Sequence, residues 1–141
     1  MGDISVRLNR RDFKCRCGRC EFQAVDAELL TDLEDLADEF QTKHLASKCI
    51  INIESGCRCI DHNEAIQSKR NKRYKPLTSK SYHLYGMAVD VWFELFDHRE
   101  KSWKVDPGEV AAAAEKRWPA SHGIGRNPTY THIDVGPKRR W

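Results

Sequence analysis

The chain has 141 residues, of which 40% are hydrophobic and 32% are charged, and its formal net charge is +3. This length suits one domain with its own core. No apolar run approaches the roughly 18 residues that a membrane-spanning helix needs, and the first residues lack the apolar segment of a secretory signal. These properties predict no membrane-spanning helix and a globular chain that is synthesised in the cytoplasm.

The positive charge is concentrated in two runs, residues 68–75 (SKRNKRYK) and residues 137–140 (PKRR). Such runs suit an anionic partner: nucleic acid, a cell-wall polymer or a membrane surface. A solvated loop and tail explain them equally well. Only Tyr74 is interleaved with the basic residues and no recognition helix is visible, so a nucleic-acid partner is disfavoured.

Cysteine is frequent for a chain of this length: Cys15, Cys17, Cys20, Cys49, Cys57 and Cys59. The missing secretory signal argues against an obligatory disulfide framework. The first three lie in the segment CRCGRC, and one of the later three could complete a Cys₄ zinc site with them. The alternative, a loop of reduced thiols, is favoured because C-x-C-x-x-C is not the spacing of a common zinc knuckle.

The first third of the chain predicts an arm, a loop and a helix. Residues 1–12 are polar and basic and suit an arm or a short edge strand, and the cysteine-rich loop continues to about residue 25. Asp26 is typical of the N-cap of a helix over about residues 27–43. Apolar residues recur there at helical spacing and predict a stripe that faces the core.

The next predicted elements are a buried strand over residues 49–55, which Gly56 ends, and a short helix over about residues 61–67. A basic loop over residues 68–82 then leads to His83. A second strand follows over about residues 87–93.

The last part of the chain predicts a helix that begins at Pro107, a glycine-rich turn at SHGIGRNP, and a strand over residues 129–135. Strands and helices do not alternate regularly. The sequence therefore predicts an α+β fold, with a small, mainly antiparallel sheet and helices packed on it.

Three side chains of the metal-ligand type lie on or near the last two predicted strands: His83, Asp90 and His132. Asp90 interrupts an apolar strand, so its carboxylate needs a partner, a metal ion or an open face. If the two strands are neighbours, the three side chains converge, and two imidazoles with one carboxylate suit Zn²⁺ with a fourth position open. The spacing alone is a weak signal, because a loop histidine and a half-buried strand histidine explain it as well.

Three motifs occur in order along the chain. They are SGCRC (residues 55–59) followed by HN (62–63), SYHLYGMAVD (81–90), and GIGRNPTYTHIDVG (123–136). Together with FKC at residues 13–15, they resemble the zinc D-alanyl-D-alanine carboxypeptidase-like peptidases, the LAS group, in its single-domain branch. That group includes the L-alanyl-D-glutamate endopeptidases of phage endolysins, and hedgehog signalling domains share its fold. The resemblance covers about residues 50–136 of a single peptidase domain, 1–141.

The resemblance implies that one catalytic zinc ion is held by His83, Asp90 and His132. It also implies that Arg58 contacts a substrate carboxylate or the oxyanion that forms during peptide hydrolysis. Ser81 is expected to steady the segment around His83 and to lie among the substrate-binding residues.

The chain departs from the family pattern at the general base. Many members carry an acidic residue three positions before the last histidine ligand, where this chain has Thr129. Others carry a histidine two positions before it, where this chain has Tyr130, which suits a hydrogen-bond donor to the substrate. Asp134 is the candidate that remains, either as general base or as a group that orients a ligand. His122 and Asp97 are weaker candidates and more typical of surface residues.

The resemblance thus implies a monomeric zinc peptidase that cleaves peptidoglycan stem peptides, of the D,D-carboxypeptidase or the L-Ala-D-Glu endopeptidase type. A phage or prophage lysis enzyme, acting at the cell wall after release or as part of the virion, fits the resemblance. One alternative is an inactive zinc-containing binding module on the same fold. The other is a small basic nucleic-acid-binding protein with a cysteine zinc site.

Overall fold

The structure, a computed structural model, describes residues 2–70 and 81–141. Most of the basic run at residues 68–75, and most of the predicted loop at 68–82, lie outside the described residues. None of the described helices combines the length and the apolar character that a membrane span needs.

The described elements include three α-helices and six strands. In chain order they are a 3-10 helix (Arg10–Phe13), α1 (Ala27–Lys43), β1 (Lys48–Ser55), α2 (Ile60–Arg70), a second 3-10 helix (Tyr82–Tyr85), β2 (Ala88–Phe96), β3 (Ser102–Lys104), α3 (Pro107–Arg117), β4 (Gly123–Arg126), β5 (Thr131–Asp134) and β6 (Arg139–Arg140).

The strands form one sheet in the order β1-β2-β5-β4-β6, and β3 pairs with the far end of β2. Every pairing is antiparallel except that of β4 with β6. The predicted α+β fold with a mainly antiparallel sheet is confirmed. Because β2 lies beside β5, the two strands that carry the candidate metal ligands are neighbours.

Helix α1 covers the sheet and begins where the sequence predicts. The Asp26 side chain accepts hydrogen bonds from the backbone N–H groups of Glu28 and Leu29, which caps the helix. Its apolar stripe is buried apart from the partly buried Leu30, and the Phe40 ring meets the ring of Phe93 on β2 edge to face, with centroids 5.1 Å apart. This packing covers one face of β2 with apolar side chains, so that the opposite face of the strand can carry polar side chains.

The structure corrects two sequence predictions near the C-terminus. The predicted turn SHGIGRNP contains strand β4, in which Ile124 is buried between β5 and β6. The last two arginines of the predicted basic tail, Arg139 and Arg140, form β6, which pairs with β4. Glycines hid the strand because they weaken the strand signal, yet here they admit close neighbours: a Cβ on Gly125 would collide with the Trp141 ring.

The N-terminal segment is a third correction. Residues 2–12 form no strand within the described chain; the 3-10 helix Arg10–Phe13 takes that place. The segment is also not a free arm, because Leu8 and Phe13 are buried in the core. The polar composition of this stretch concealed these two anchors.

Candidate metal centre

The three predicted ligands lie together at one point of the sheet. Asp90 on β2 pairs directly with His132 on β5, and His83 approaches from the 3-10 helix Tyr82–Tyr85. One ligand atom from each residue lies within 4.8 Å of the other two. Asp90 Oδ1 is 3.1 Å from His132 Nδ1 and 3.6 Å from His83 Nε2.

Each histidine directs one ring nitrogen at this cluster because the other is already bonded. Nδ1 of His83 lies 2.6 Å from the carbonyl oxygen of Gly56 and donates to it, which leaves Nε2 as an acceptor. Nε2 of His132 lies 2.8 Å from Asp134 Oδ2 and donates to it, which leaves Nδ1 as an acceptor. Such partners fix the tautomer of metal-binding histidines.

The donor set fits a zinc ion. Two imidazole nitrogens and one carboxylate oxygen face each other with their lone pairs, an arrangement that repels itself unless a cation or a proton lies between them. Zn²⁺ accepts this combination of ligands and keeps a fourth position for water or substrate. The three residues would therefore hold the metal through Nε2 of His83, Oδ1 of Asp90 and Nδ1 of His132.

The electrostatics of the cluster favour ligation. Burial opposes ionisation of Asp90, but the His132 and His83 rings beside it, which attract its negative charge when either is protonated, hold the pKa of this carboxyl below its usual range. Burial lowers the pKa of His83, which keeps the imidazole neutral, as a metal ligand must be. The pKa of His132 is raised, because its contacts with Asp134 and Asp90 outweigh burial, so metal binding at this ring displaces a proton.

Arg58 lies against the same cluster. It follows β1, and its backbone N–H donates to the carbonyl oxygen of His83 at 2.9 Å. Its guanidinium contacts Ser55 and Asn63, and Nη2 lies 3.4 Å from Oδ2 of Asp90. The residue is only 3% exposed, so several contacts hold a fixed positive charge beside the metal ligands.

The other predicted substrate-binding residues, Ser81 and Tyr130, each lie two residues before a histidine ligand in the sequence. The carbonyl oxygen of Ser81 accepts from the backbone N–H of Leu84, so Ser81 begins the 3-10 helix through its backbone rather than its hydroxyl. Tyr130 is half-buried and directly precedes β5. Thr129 is exposed, and its hydroxyl donates to the Asn127 side chain in the turn before β5.

Asp134 is completely buried and both of its carboxylate oxygens are engaged. Oδ1 accepts hydrogen bonds of 3.0 Å from the backbone N–H groups of Gly123 and Gly136. Oδ2 contacts His132 and, at 2.9 Å, the guanidinium of Arg139. Its contact with the His132 ring is on the nitrogen that faces away from the cluster. This geometry favours the orienting role over the general-base role.

The two weaker base candidates lie in other surroundings. His122 is buried rather than exposed, which corrects the surface prediction; its ring lies 2.7 Å from Asp32 Oδ2 and stacks on Trp118. Asp97 accepts hydrogen bonds from two backbone N–H groups in the turn that joins β2 and β3. These contacts give both residues structural roles.

The C-terminal residues are part of the centre, which the sequence did not predict. The Trp141 ring lies 4.9 Å from the His132 ring, between ring centroids. The Arg139 guanidinium lies 5.0 Å from the Trp141 ring and 5.5 Å from the Tyr82 ring. The sequence feature that could have indicated this arrangement is the tryptophan that follows the basic run, because arginine and aromatic rings attract each other.

Comparison with known proteins agrees with this centre. A search of the curated proteins found no match. The family model described as Peptidase M15 matches residues 6–134, which include the whole cluster and nearly all of the sheet. Peptidases of this family depend on zinc, and the three ligands found here suit that metal. The chain therefore belongs to the M15 family of metallopeptidases.

Proposed function

We propose that this chain cleaves stem peptides of peptidoglycan, either as a D,D-carboxypeptidase or as an L-Ala-D-Glu endopeptidase. The observation that carries the proposal is the convergence of His83, Asp90 and His132 within 4.8 Å in a chain of the M15 family. A zinc ion bound there would polarise the scissile carbonyl and make water nucleophilic at neutral pH.

The charges around the centre support an anionic peptide as substrate. Arg58 presents a guanidinium beside Asp90, and Arg139 is half exposed at the other side of His132. Stem peptides carry free carboxylates, and a guanidinium fork matches a carboxylate in geometry and charge. Arg58 would hold either a substrate carboxylate or the negative charge that develops on the carbonyl oxygen.

The motif resemblance supports a biological setting. The segments SGCRC, SYHLYGMAVD and GIGRNPTYTHIDVG are similar to those of the LAS group, which includes single-domain endolysin peptidases. We therefore propose a monomeric phage or prophage lysis enzyme that acts at the cell wall after release or as part of the virion.

A second candidate is an inactive, zinc-containing binding module on the same fold. The specific observation in its favour is that the usual positions of the base hold Thr129 and Tyr130, while Asp134 has both oxygens engaged. Such a module would bind zinc and peptide without turnover.

Digestion of purified peptidoglycan, followed by mass analysis of the products, tests the proposal. Released D-alanine would identify the carboxypeptidase type, and new D-glutamate amino termini would identify the endopeptidase type. Products should disappear with a chelator and return with added zinc.

His83→Ala should be inactive, whereas His98→Ala, at an exposed histidine in the turn after β2, should not differ from the parent. Zinc-loaded protein that binds peptidoglycan but releases no product would establish the second candidate instead.

A further inference from the structure

Four cysteines from two distant parts of the chain meet beside helix α2. Cys15, Cys17 and Cys20 come from the N-terminal loop, and Cys59 directly precedes α2. One Sγ from each lies within 4.8 Å of the other three, and the Sγ atoms of Cys17 and Cys20 are 3.5 Å apart. All four thiols are free. In a tetrahedral site with Zn–S bonds of about 2.3 Å, sulfurs lie about 3.8 Å apart.

We propose that these four cysteines bind a second, structural zinc ion that ties the N-terminal loop to the start of α2. Four thiolates in this arrangement are a soft, closed ligand set, which suits a structural zinc site rather than a catalytic one. The site is separate from the centre formed by the two histidines and Asp90.

Backbone N–H groups already point at the sulfurs, as they do toward metal-bound thiolates. Arg19 donates to Cys17 Sγ at 3.3 Å and Cys59 donates to Cys15 Sγ at 3.3 Å. His62 donates to Cys59 Sγ at 3.4 Å, from the first turn of α2. Backbone N–H groups that donate to sulfur stabilise the negative charge that thiolate ligands carry. The backbone here is therefore already arranged to support thiolates.

The other two cysteines have different partners, which makes the selection specific. Cys57 Sγ lies 2.9 Å from the backbone carbonyl oxygen of Phe13 and 3.1 Å from that of Phe22, so its single S–H can donate to either. Cys49 is buried on β1 in the hydrophobic core. Of the three later cysteines, the structure therefore brings only Cys59 into the cluster.

The position of the cluster explains what a bound metal would do. Residues 14–26 contain no helix or strand, so no regular secondary structure orders this loop. Cys59 is adjacent in sequence to Arg58, and the same segment supplies the Gly56 carbonyl oxygen that holds His83. Closing a link between Cys15 and Cys59, 44 residues apart, would limit the freedom of both segments and so position Arg58.

Metal analysis of the purified full chain tests the site. We expect two zinc ions per chain in the parent protein and one in Cys17→Ser/Cys20→Ser. Cys57→Ser is the matched control, because its hydroxyl can donate to one of the two carbonyls as the thiol does, and it should keep both ions. His83→Ala should lose the other ion only. These readouts do not depend on peptidase activity, so a failure of the proposed function leaves the test intact.

Two further measurements keep the test decisive if the double variant does not fold. Cys20→His retains a zinc ligand of another type and should keep two zinc ions, since Cys₃His sites also bind zinc. Parent protein reconstituted with cobalt should show intense thiolate-to-cobalt charge-transfer absorption. Zinc content that the cysteine changes leave unaltered, iron instead of zinc, or a Cys17–Cys20 disulfide in mass mapping would each overturn the proposal.

Discussion

At the scale of single residues, the hydrogen-bond partners of a side chain decide its role more than its chemical type. Asp134 is a carboxylate on the strand that carries His132, as a general base could be, yet two backbone N–H groups, an imidazole and a guanidinium surround it. A carboxylate with both oxygens committed has little capacity to accept a proton from water. It can, however, hold the His132 ring with Nδ1 free for a metal.

We expect Asp134→Asn to weaken zinc binding by about 10–100-fold while the fold is retained. An amide that donates to Nε2 of His132 would move the ring proton to Nδ1, the nitrogen that should bind the metal. Zinc competition with a chelator of known affinity measures the effect. Asp97→Asn is the matched control, because its backbone hydrogen bonds in a turn can be kept by an amide. Unchanged zinc affinity with slower turnover would restore Asp134 as a base.

We expect Arg58→Ala to reduce peptidase turnover by about 10²–10³-fold, because it removes a fixed positive charge beside the reacting groups. Arg58→Lys should restore turnover only in part, since an ammonium carries the same charge but cannot replace the guanidinium fork that contacts Ser55, Asn63 and Asp90. Arg126→Ala, at an arginine that pairs with Glu115, is the control. Steady-state kinetics on a stem peptide measures the effect, and near-normal turnover of Arg58→Ala would remove Arg58 from the site.

At the scale of elements, a short turn places one metal ligand. The 3-10 helix Tyr82–Tyr85 ends at Gly86, whose φ of 66° lies in the left-handed region. The carbonyl oxygen of Gly86 accepts from the backbone N–H of Asp26, the N-cap of α1. The position of His83 therefore depends on a contact between this turn and the beginning of a distant helix.

We expect Gly86→Ala to lower the free energy of unfolding by more than about 1–2 kcal/mol, the cost of a left-handed alanine alone. The additional cost arises because a Cβ at this position would lie 2.6 Å from the carbonyl oxygen of Ala24. Gly18→Ala isolates the conformational cost, since Gly18 has a φ of 75° and nothing within 4 Å of its Cβ position. Urea denaturation of both variants measures the difference, and equal losses would contradict a steric role for Gly86.

At the scale of the whole molecule, α1 and the sheet form one core that supports the metal centre. Phe93 is fully buried on the face of β2 opposite to Asp90, against Phe40 of α1. Strand β2, which carries Asp90, therefore has an apolar layer on one face and the polar metal centre on the other. Packing of the apolar face against α1 therefore fixes the position of Asp90 on the opposite face.

We expect Phe93→Ala to cost about 3–5 kcal/mol of unfolding free energy, because it removes a large buried ring and leaves a cavity under β2. Ile60→Ala, at a side chain that is 66% exposed, should change stability by less than about 0.5 kcal/mol. Denaturant unfolding followed by circular dichroism measures both. A loss below about 1 kcal/mol for Phe93→Ala would show that the site does not depend on this packing.

The sequence by itself determined the elements whose signals are local. Helix α1 begins after its N-cap Asp26 and carries an apolar stripe, α3 begins at Pro107, and β1 and β2 are runs of strand-forming residues. It also identified the residue types of the metal centre, because zinc restricts the side chains that can bind it.

Only the tertiary structure decided what depends on partners far along the chain. Strand β4 forms by pairing with β5 and β6, and β6 forms by pairing with β4. Neither glycines nor arginines predict a strand from the local sequence. The choice of Cys59 among three cysteines, and the commitment of Asp134 to His132, follow from folding distant segments together. The physical reason is that helix periodicity and capping depend on residues only a few positions apart. Strand pairing, the convergence of metal ligands and the hydrogen-bond partners of a buried side chain depend instead on residues that are distant in sequence and meet only in the folded chain.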